Sequence, residues 1–124
     1  MKAGLFSVYR WRMRFRYALQ GILVFCRTEH NAIIYSISTI AVFIASLMKG
    51  VTKIEATALV IVIGFVWVSE LFNTAIECLA DMITLKTDAR IKNIKDVAAG
   101  AVLLSVVAAV ITGLLIFIPK FYRL

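Results

Sequence analysis

The stretch Ser69-Glu70-Leu71-Phe72-Asn73-Thr74-Ala75-Ile76-Glu77-Cys78-Leu79-Ala80-Asp81 closes an apolar run that begins at Ala56. The run reads as a bilayer-spanning helix, for which about 20 predominantly apolar residues suffice. At 3.6 residues per turn each residue advances about 100°, so Asn73, Glu77 and Asp81 lie at roughly −60°, −20° and +20° from Glu70. Three carboxylates and an amide therefore share one face. The stripe rises about 10 Å from Glu70 to Glu77 and about 6 Å more to Asp81, a length that fits phosphates, a metal ion and an acceptor group in a row. An ionisable side chain within a spanning helix costs about 3 kcal/mol even on lenient insertion scales, so two glutamates there mark a functional site.

Composition agrees with a membrane setting. Of 124 residues, 62% are hydrophobic and 17% charged, with mean hydropathy +0.94. That balance is too apolar for an ordinary soluble domain. The length allows three spans with short connections and no separate soluble domain. The net charge of +7 comes from cations mixed with apolar residues, a pattern that suits anionic lipid headgroups rather than nucleic acid. Cys26 and Cys78 make neither a metal-spacing pair nor a disulfide framework.

Working outward, residues 1–31 form an amphipathic surface segment. Lys2, Arg10, Arg12, Arg14, Arg16 and Arg27 alternate with Phe6, Tyr9, Trp11, Phe15 and Tyr17, and no acid precedes Glu29. Interleaved cations and rings suit a helix at headgroup depth, and the segment lacks the continuous apolar core of a signal peptide. Arg12 and Arg16 are four apart, a spacing that lets both face one anion. Glu29, His30 and Asn31 mark the start of the first span, residues 32–48. Lys49 to Lys53 make a tight turn, with Gly50 closing the helix, so the first and second spans are antiparallel neighbours. The second span covers residues 56–80. Residues 81–96 read as a polar connection, helical towards its end, and the third span covers 97–118, stopped by Pro119. In it Ala101, Ser105, Ala109 and Gly113 make a small-residue ridge for close helix packing. Ten of the Lys and Arg residues lie in the N-terminal segment and second connection, against four in the first turn and C-terminus. The positive-inside rule then places the N-terminus in the cytoplasm and the C-terminus outside.

Carboxylates flanked by cations suggest a hard metal and a polyphosphate. Magnesium binds through one or two carboxylates plus substrate phosphates, and Glu29 with Glu77 is the natural pair. Lys95, Arg12 and Arg16 are then placed to neutralise phosphate oxygens. Glu70, desolvated at greater depth, is suited to accept a proton from a lipid hydroxyl. A proton- or cation-translocating helix and a small structural subunit are compatible with the same residues.

The block Glu70-Leu71-Phe72-Asn73-Thr74-Ala75-Ile76-Glu77-Cys78-Leu79-Ala80-Asp81, followed by Lys95-Asp96-Val97-Ala98-Ala99-Gly100-Ala101, resembles the signature of the bacterial diacylglycerol kinase family of small integral membrane lipid kinases. The resemblance covers nearly the whole chain. It implies an all-α membrane protein, an N-terminal surface helix plus three transmembrane helices, assembled as a homotrimer with active sites between subunits in the bacterial cytoplasmic membrane. It also implies ATP- and Mg2+-dependent transfer of the γ-phosphate to a lipid alcohol. Glu70 matches the general base, and Glu29 and Glu77 match the metal-coordinating glutamates. Arg10, Tyr17, Asn73, Asp81, Lys95 and Asp96 fall where the family contacts the nucleotide or its surroundings. Within the family, the Asn73 to Glu77 wording, the run Lys95 to Leu104 and the Ile116-Phe117-Ile118-Pro119 ending look more like the undecaprenol kinase branch than the diacylglycerol kinase branch. The segment Thr84 to Asn93 departs from the His-containing loop often found in the family.

Overall fold

The computed structural model describes residues 3–122, with side chains from residue 8. Lys2, Arg123 and the side chain of Phe6, all part of the reading above, lie outside the described residues. The chain divides into two units, residues 1–36 and 37–124. Four helices follow in order, α1 (Ala3–Thr28), α2 (His30–Lys49), α3 (Lys53–Ile83) and α4 (Ala89–Tyr122).

In the first unit, α1 is a single helix whose described side chains are exposed apart from Met13 and Phe25. Trp11 and Phe15, one turn apart, stack with centroids 6.1 Å apart, as side chains at i and i+4 can. The helix ends where the Thr28 hydroxyl bonds back to the Val24 carbonyl at 2.9 Å, a local competitor for helical backbone bonding. Glu29 alone stands outside helix before α2 begins. Its N–H still reaches Phe25 O at 2.9 Å, and its carbonyl accepts Ala32 N–H at 3.2 Å.

Most of α2, from residue 37 on, lies in the second unit, where α3 and α4 follow it through short turns. Gly50 adopts φ +62, and Val51 N–H returns to Ser46 O at 3.3 Å. These are marks of a Schellman closure, in which a left-handed residue lets the last carbonyls find donors. Thr52 then caps α3: its hydroxyl accepts Glu55 N–H at 3.3 Å and Glu55 Oε2 accepts Thr52 N–H at 2.8 Å, a reciprocal capping box. Trp67 Nε1 donates to Thr39 Oγ1 at 3.1 Å, tying α3 to α2 as expected of neighbours.

Helices α3 and α4 form an antiparallel pair joined by three polar ties, Glu55 with Lys120, Ser69 with Ser105, and Asp81 with Lys95. The buried positions of α3 include Leu59, Val66, Asn73 and Ala80, seven apart, the repeat of a seam between two helices crossing at a small angle. Ala98 and Ser105 continue that repeat on α4. Away from the seam, side chains such as Phe65, Phe72, Leu104 and Leu115 are two-thirds or more exposed. Helices α2, α3 and α4 are each long and apolar enough to cross a membrane.

Three expectations change. The helices outrun residues 32–48, 56–80 and 97–118, because polar flanks continue them. The connection drawn over 81–96, expected to be helical towards its end, is non-helical only at residues 84–88; Lys95 and Asp96 are helical as expected, and Asp81 is helical too. Finally, α4 continues through Pro119 to Tyr122. So near the end, proline removes one backbone donor and few later residues depend on it, while Lys120 is held by Glu55 at 3.0 Å and Gly50 O at 3.4 Å. The small-residue ridge is only partly at the seam: Ser105 is buried, Ala101 is exposed, and a Cβ at Gly113 would meet nothing within 4 Å.

Candidate functional site

The four polar residues of the stripe sit on α3 along a gradient of burial. Glu70 and Asn73 are 3% and 8% exposed, Glu77 is half-buried and Asp81 is exposed. One face thus leads from the protein interior towards the polar end of the α3–α4 pair. Asn73 Nδ2 donates to Glu77 Oε1 at 3.0 Å. That orientation puts the amide nitrogen against the carboxylate and leaves Asn73 Oδ1 buried with no partner among the described residues. A buried acceptor left unmade costs about 1–3 kcal/mol, and such exceptions concentrate where a ligand or ion completes the bonding.

Lys95, reaching across from α4, donates to Asp81 Oδ1 at 2.5 Å. The charge of Glu77 also acts on it. Lys95 thus pairs with Asp81, one turn along α3 from Glu77. Asp96 is engaged differently: Lys92, one turn before it on α4, holds it at 2.5 Å, and both side chains are mostly exposed. Just before α4, Asp88 Oδ1 accepts Arg90 N–H at 2.8 Å. The Arg90 guanidinium, followed by that amide, holds the Asp88 carboxyl below its ordinary value. Thr84 to Asp88 is thus a capped turn.

In the first unit, Arg10, Arg12, Arg16 and Tyr17 are exposed on α1, and Glu29 is half-buried at its single-residue break. Among the described residues no three His, Cys, Asp or Glu side chains cluster as a ready metal cage. The structure brings together Asn73 with Glu77 and Asp81 with Lys95, and it pairs Asp96 with Lys92.

The sequence reading missed Ser69, whose hydroxyl lies 2.8 Å from that of Ser105 beside Glu70. Its signal was faint, because pairing across helices requires the register. The Thr52-x-x-Glu55 pattern, by contrast, was a legible capping box. Lys120, counted only as a terminal cation, proves to be the partner of Glu55.

Comparison with known proteins now bears on this geometry. Residues 16–117 match the sequence model of a family described as prokaryotic diacylglycerol kinase. This chain belongs to that family. The prokaryotic diacylglycerol kinase match takes in the latter half of α1, all of α2 and α3 and most of α4, and so includes the whole α3 stripe and Lys95. An undecaprenol kinase of Bacillus subtilis is 40% identical over 111 residues, 90% of each chain. A diacylglycerol kinase of Synechocystis is 34% identical over 111 residues, 89% of this chain and 63% of that protein. As a member of the prokaryotic diacylglycerol kinase family, the chain is a phosphotransferase, and its three long apolar helices make it a membrane protein.

Proposed function

We propose that the chain transfers the γ-phosphate of ATP to the hydroxyl of a membrane lipid alcohol, with undecaprenol as the acceptor. The observation that carries this reading is the α3 stripe itself, where a buried carboxylate, a buried amide with an unmet acceptor and a half-buried carboxylate lead out to a lysine-paired aspartate. A greasy alcohol and a polyphosphate need such a meeting place at the edge of a bilayer. The 40% identity to an undecaprenol kinase over 90% of both chains supports the acceptor. The 34% identity to a diacylglycerol kinase makes 1,2-diacylglycerol the second candidate.

In this reading Glu70 takes the proton of the lipid hydroxyl as its oxygen attacks the γ-phosphorus. The bond from that phosphorus to the β-phosphate bridge breaks, and ADP leaves. Burial at 3% exposure keeps water from competing for the phosphoryl group,. Asn73 fixes Glu77 through its Nδ2, and its free Oδ1 faces the same site. The donors fit magnesium: Glu77 and the unmet Asn73 carbonyl are hard oxygen ligands, and magnesium needs few protein carboxylates when phosphates supply the rest. Glu29 and Glu77 would hold it, as the family resemblance implies. Such an ion would supply positive charge against the phosphate oxygens. Lys95, screened by Asp81, adds a positive charge without leaving a bare cation. Arg10, Tyr17, Asp81 and Asp96 complete the nucleotide surroundings. The Arg-rich α1 lies at the cytoplasmic headgroups, with the N-terminus inside, the C-terminus outside and three copies assembled in the bacterial inner membrane.

The test is to incubate the purified protein with labelled ATP, magnesium and either undecaprenol or diacylglycerol. Label is expected in the undecaprenol phosphate fraction. Label in diacylglycerol alone moves the acceptor, and label in neither removes the kinase reading. Glu70→Gln is expected to lower kcat at least about 100-fold while ATP still binds; near-parental turnover would remove Glu70 as base.

A further inference from the structure

We propose that Ser69 and Ser105 are positioning residues for the Glu70 carboxylate, their hydroxyl pair setting the rotation and height of α3 against α4 where the proton is taken. The inference rests on the role given to Glu70 above. Ser69 Oγ and Ser105 Oγ are 2.8 Å apart, Ser105 is 6% exposed, and Ser69 immediately precedes Glu70.

Proton counting limits how the pair can bond. Ser69 Oγ lies 2.9 Å from Val66 O, and Ser105 Oγ lies 2.7 Å from Val102 O. Two hydroxyl protons thus serve three contacts. In either arrangement one serine donates across the interface while the other donates to its own helix, and no proton is left unmet. The serine that accepts across the interface bonds the other helix and its own backbone at once.

Val66, Ala98 and Val102 beside the pair are apolar side chains whose packing tolerates small rotations better than a hydrogen bond does. The Asp81–Lys95 and Glu55–Lys120 ties lie at the ends of the helix pair, twelve residues after Ser69 and fourteen before it. Those are about 18 and 21 Å away along the helix, and both include partly solvent-exposed charges. Since Glu70 follows Ser69 by one residue, about 1.5 Å and 100°, a shift of α3 at Ser69 carries the Glu70 backbone with it. Misplacement of a reacting group by about 1 Å costs up to roughly 100-fold in rate.

The experiment measures kcat, KM for ATP and the solvent deuterium isotope effect on kcat in the full-length protein, with whichever lipid alcohol takes label. Ser69→Ala, Ser105→Ala, the double variant, Ser69→Thr and Glu70→Gln are compared with the parent. Each alanine variant is expected to lower kcat about tenfold, keep KM for ATP within about twofold and enlarge the isotope effect, since proton transfer becomes slower than the other steps. The double variant loses no more than either single one, as expected of partners. Ser69→Thr keeps a hydroxyl and holds parental kcat. Parental kcat in both alanine variants overturns the proposal. So does a kcat loss with an unchanged isotope effect, which reports fewer folded molecules, or an equal loss in Ser69→Thr and Ser69→Ala. If Glu70→Gln turns over normally, the base assignment itself falls; if Glu70→Gln is inactive while the alanine variants match the parent, only the positioning role does.

Discussion

The two ends of the α3–α4 pair are built from the same kind of contact and differ in how completely it closes. At one end Lys120 bonds Glu55 at 3.0 Å, Glu55 also takes the Thr52 amide, and Gly50 turns the chain with its carbonyl received by Lys120. Every named polar group there has its partner within the chain. At the other end Lys95 bonds Asp81, yet one step inward Asn73 holds a buried carbonyl oxygen that nothing meets. A lysine–carboxylate pair across two helices therefore does not by itself distinguish the two ends; the unmet acceptor among the described residues does. A fully satisfied polar network rigidifies a fold, whereas a buried acceptor left unmet calls for an explanation.

That contrast can be broken or sharpened by substitution. The largest effect is expected at Glu77→Gln, which keeps the bond from Asn73 but removes the charge: kcat falls by about 100-fold and the magnesium concentration for half-maximal rate rises. A magnesium titration of activity checks it, and parental dependence would place the ion elsewhere. Next, Asn73→Leu removes the orphaned oxygen and fills the seam with an apolar side chain. Turnover falls at least about tenfold, while the thermal unfolding midpoint in detergent holds or rises. A lowered midpoint would make Asn73 a structural residue like those of the opposite end. At that end Gly50→Ala forces a Cβ onto a φ of +62, costing about 1 kcal/mol of stability with kcat unchanged; a changed kcat would tie the closed end to catalysis. The smallest effect is on pH. Asp88 is held below its ordinary value by Arg90, so its contribution to folding is present above the ordinary carboxylate range and lost as pH falls through the lowered value, below about pH 4. Asp88→Asn should lower the thermal midpoint slightly at neutral pH and flatten its acid limb, where the parent has already lost the contribution.

Much of this arrangement could be read before any coordinates. Apolar runs announced the three long helices, and simple periodicity put Glu70, Asn73, Glu77 and Asp81 on one face, where α3 holds them. Helix ends were less legible, because hydropathy marks where a helix leaves the hydrocarbon and says little of where its backbone bonding stops. Residues 89–96 mix the helix formers Ala89, Arg90, Lys92 and Lys95 with weaker ones and belong to α4,, and the Asp88 side chain accepts the Arg90 N–H at their start. Pro119 misled for the same reason: its cost depends on how much helix must follow. Ser69 with Ser105 and Glu55 with Lys120 lay beyond reach, since each joins residues that only the helix register brings level. That Asn73 Nδ2, and not Oδ1, engages Glu77 is likewise a matter of side-chain geometry.

The seven-residue spacing of Leu59, Val66, Asn73 and Ala80 makes the number of residues in α3 as consequential as their identity. Removing a single residue between Val66 and Asn73 would swing everything beyond it by about 100°, turning Glu77 and Asp81 out towards acyl chains and detaching Lys95 from its partner. This helix can exchange letters over evolutionary time far more readily than it can change their count.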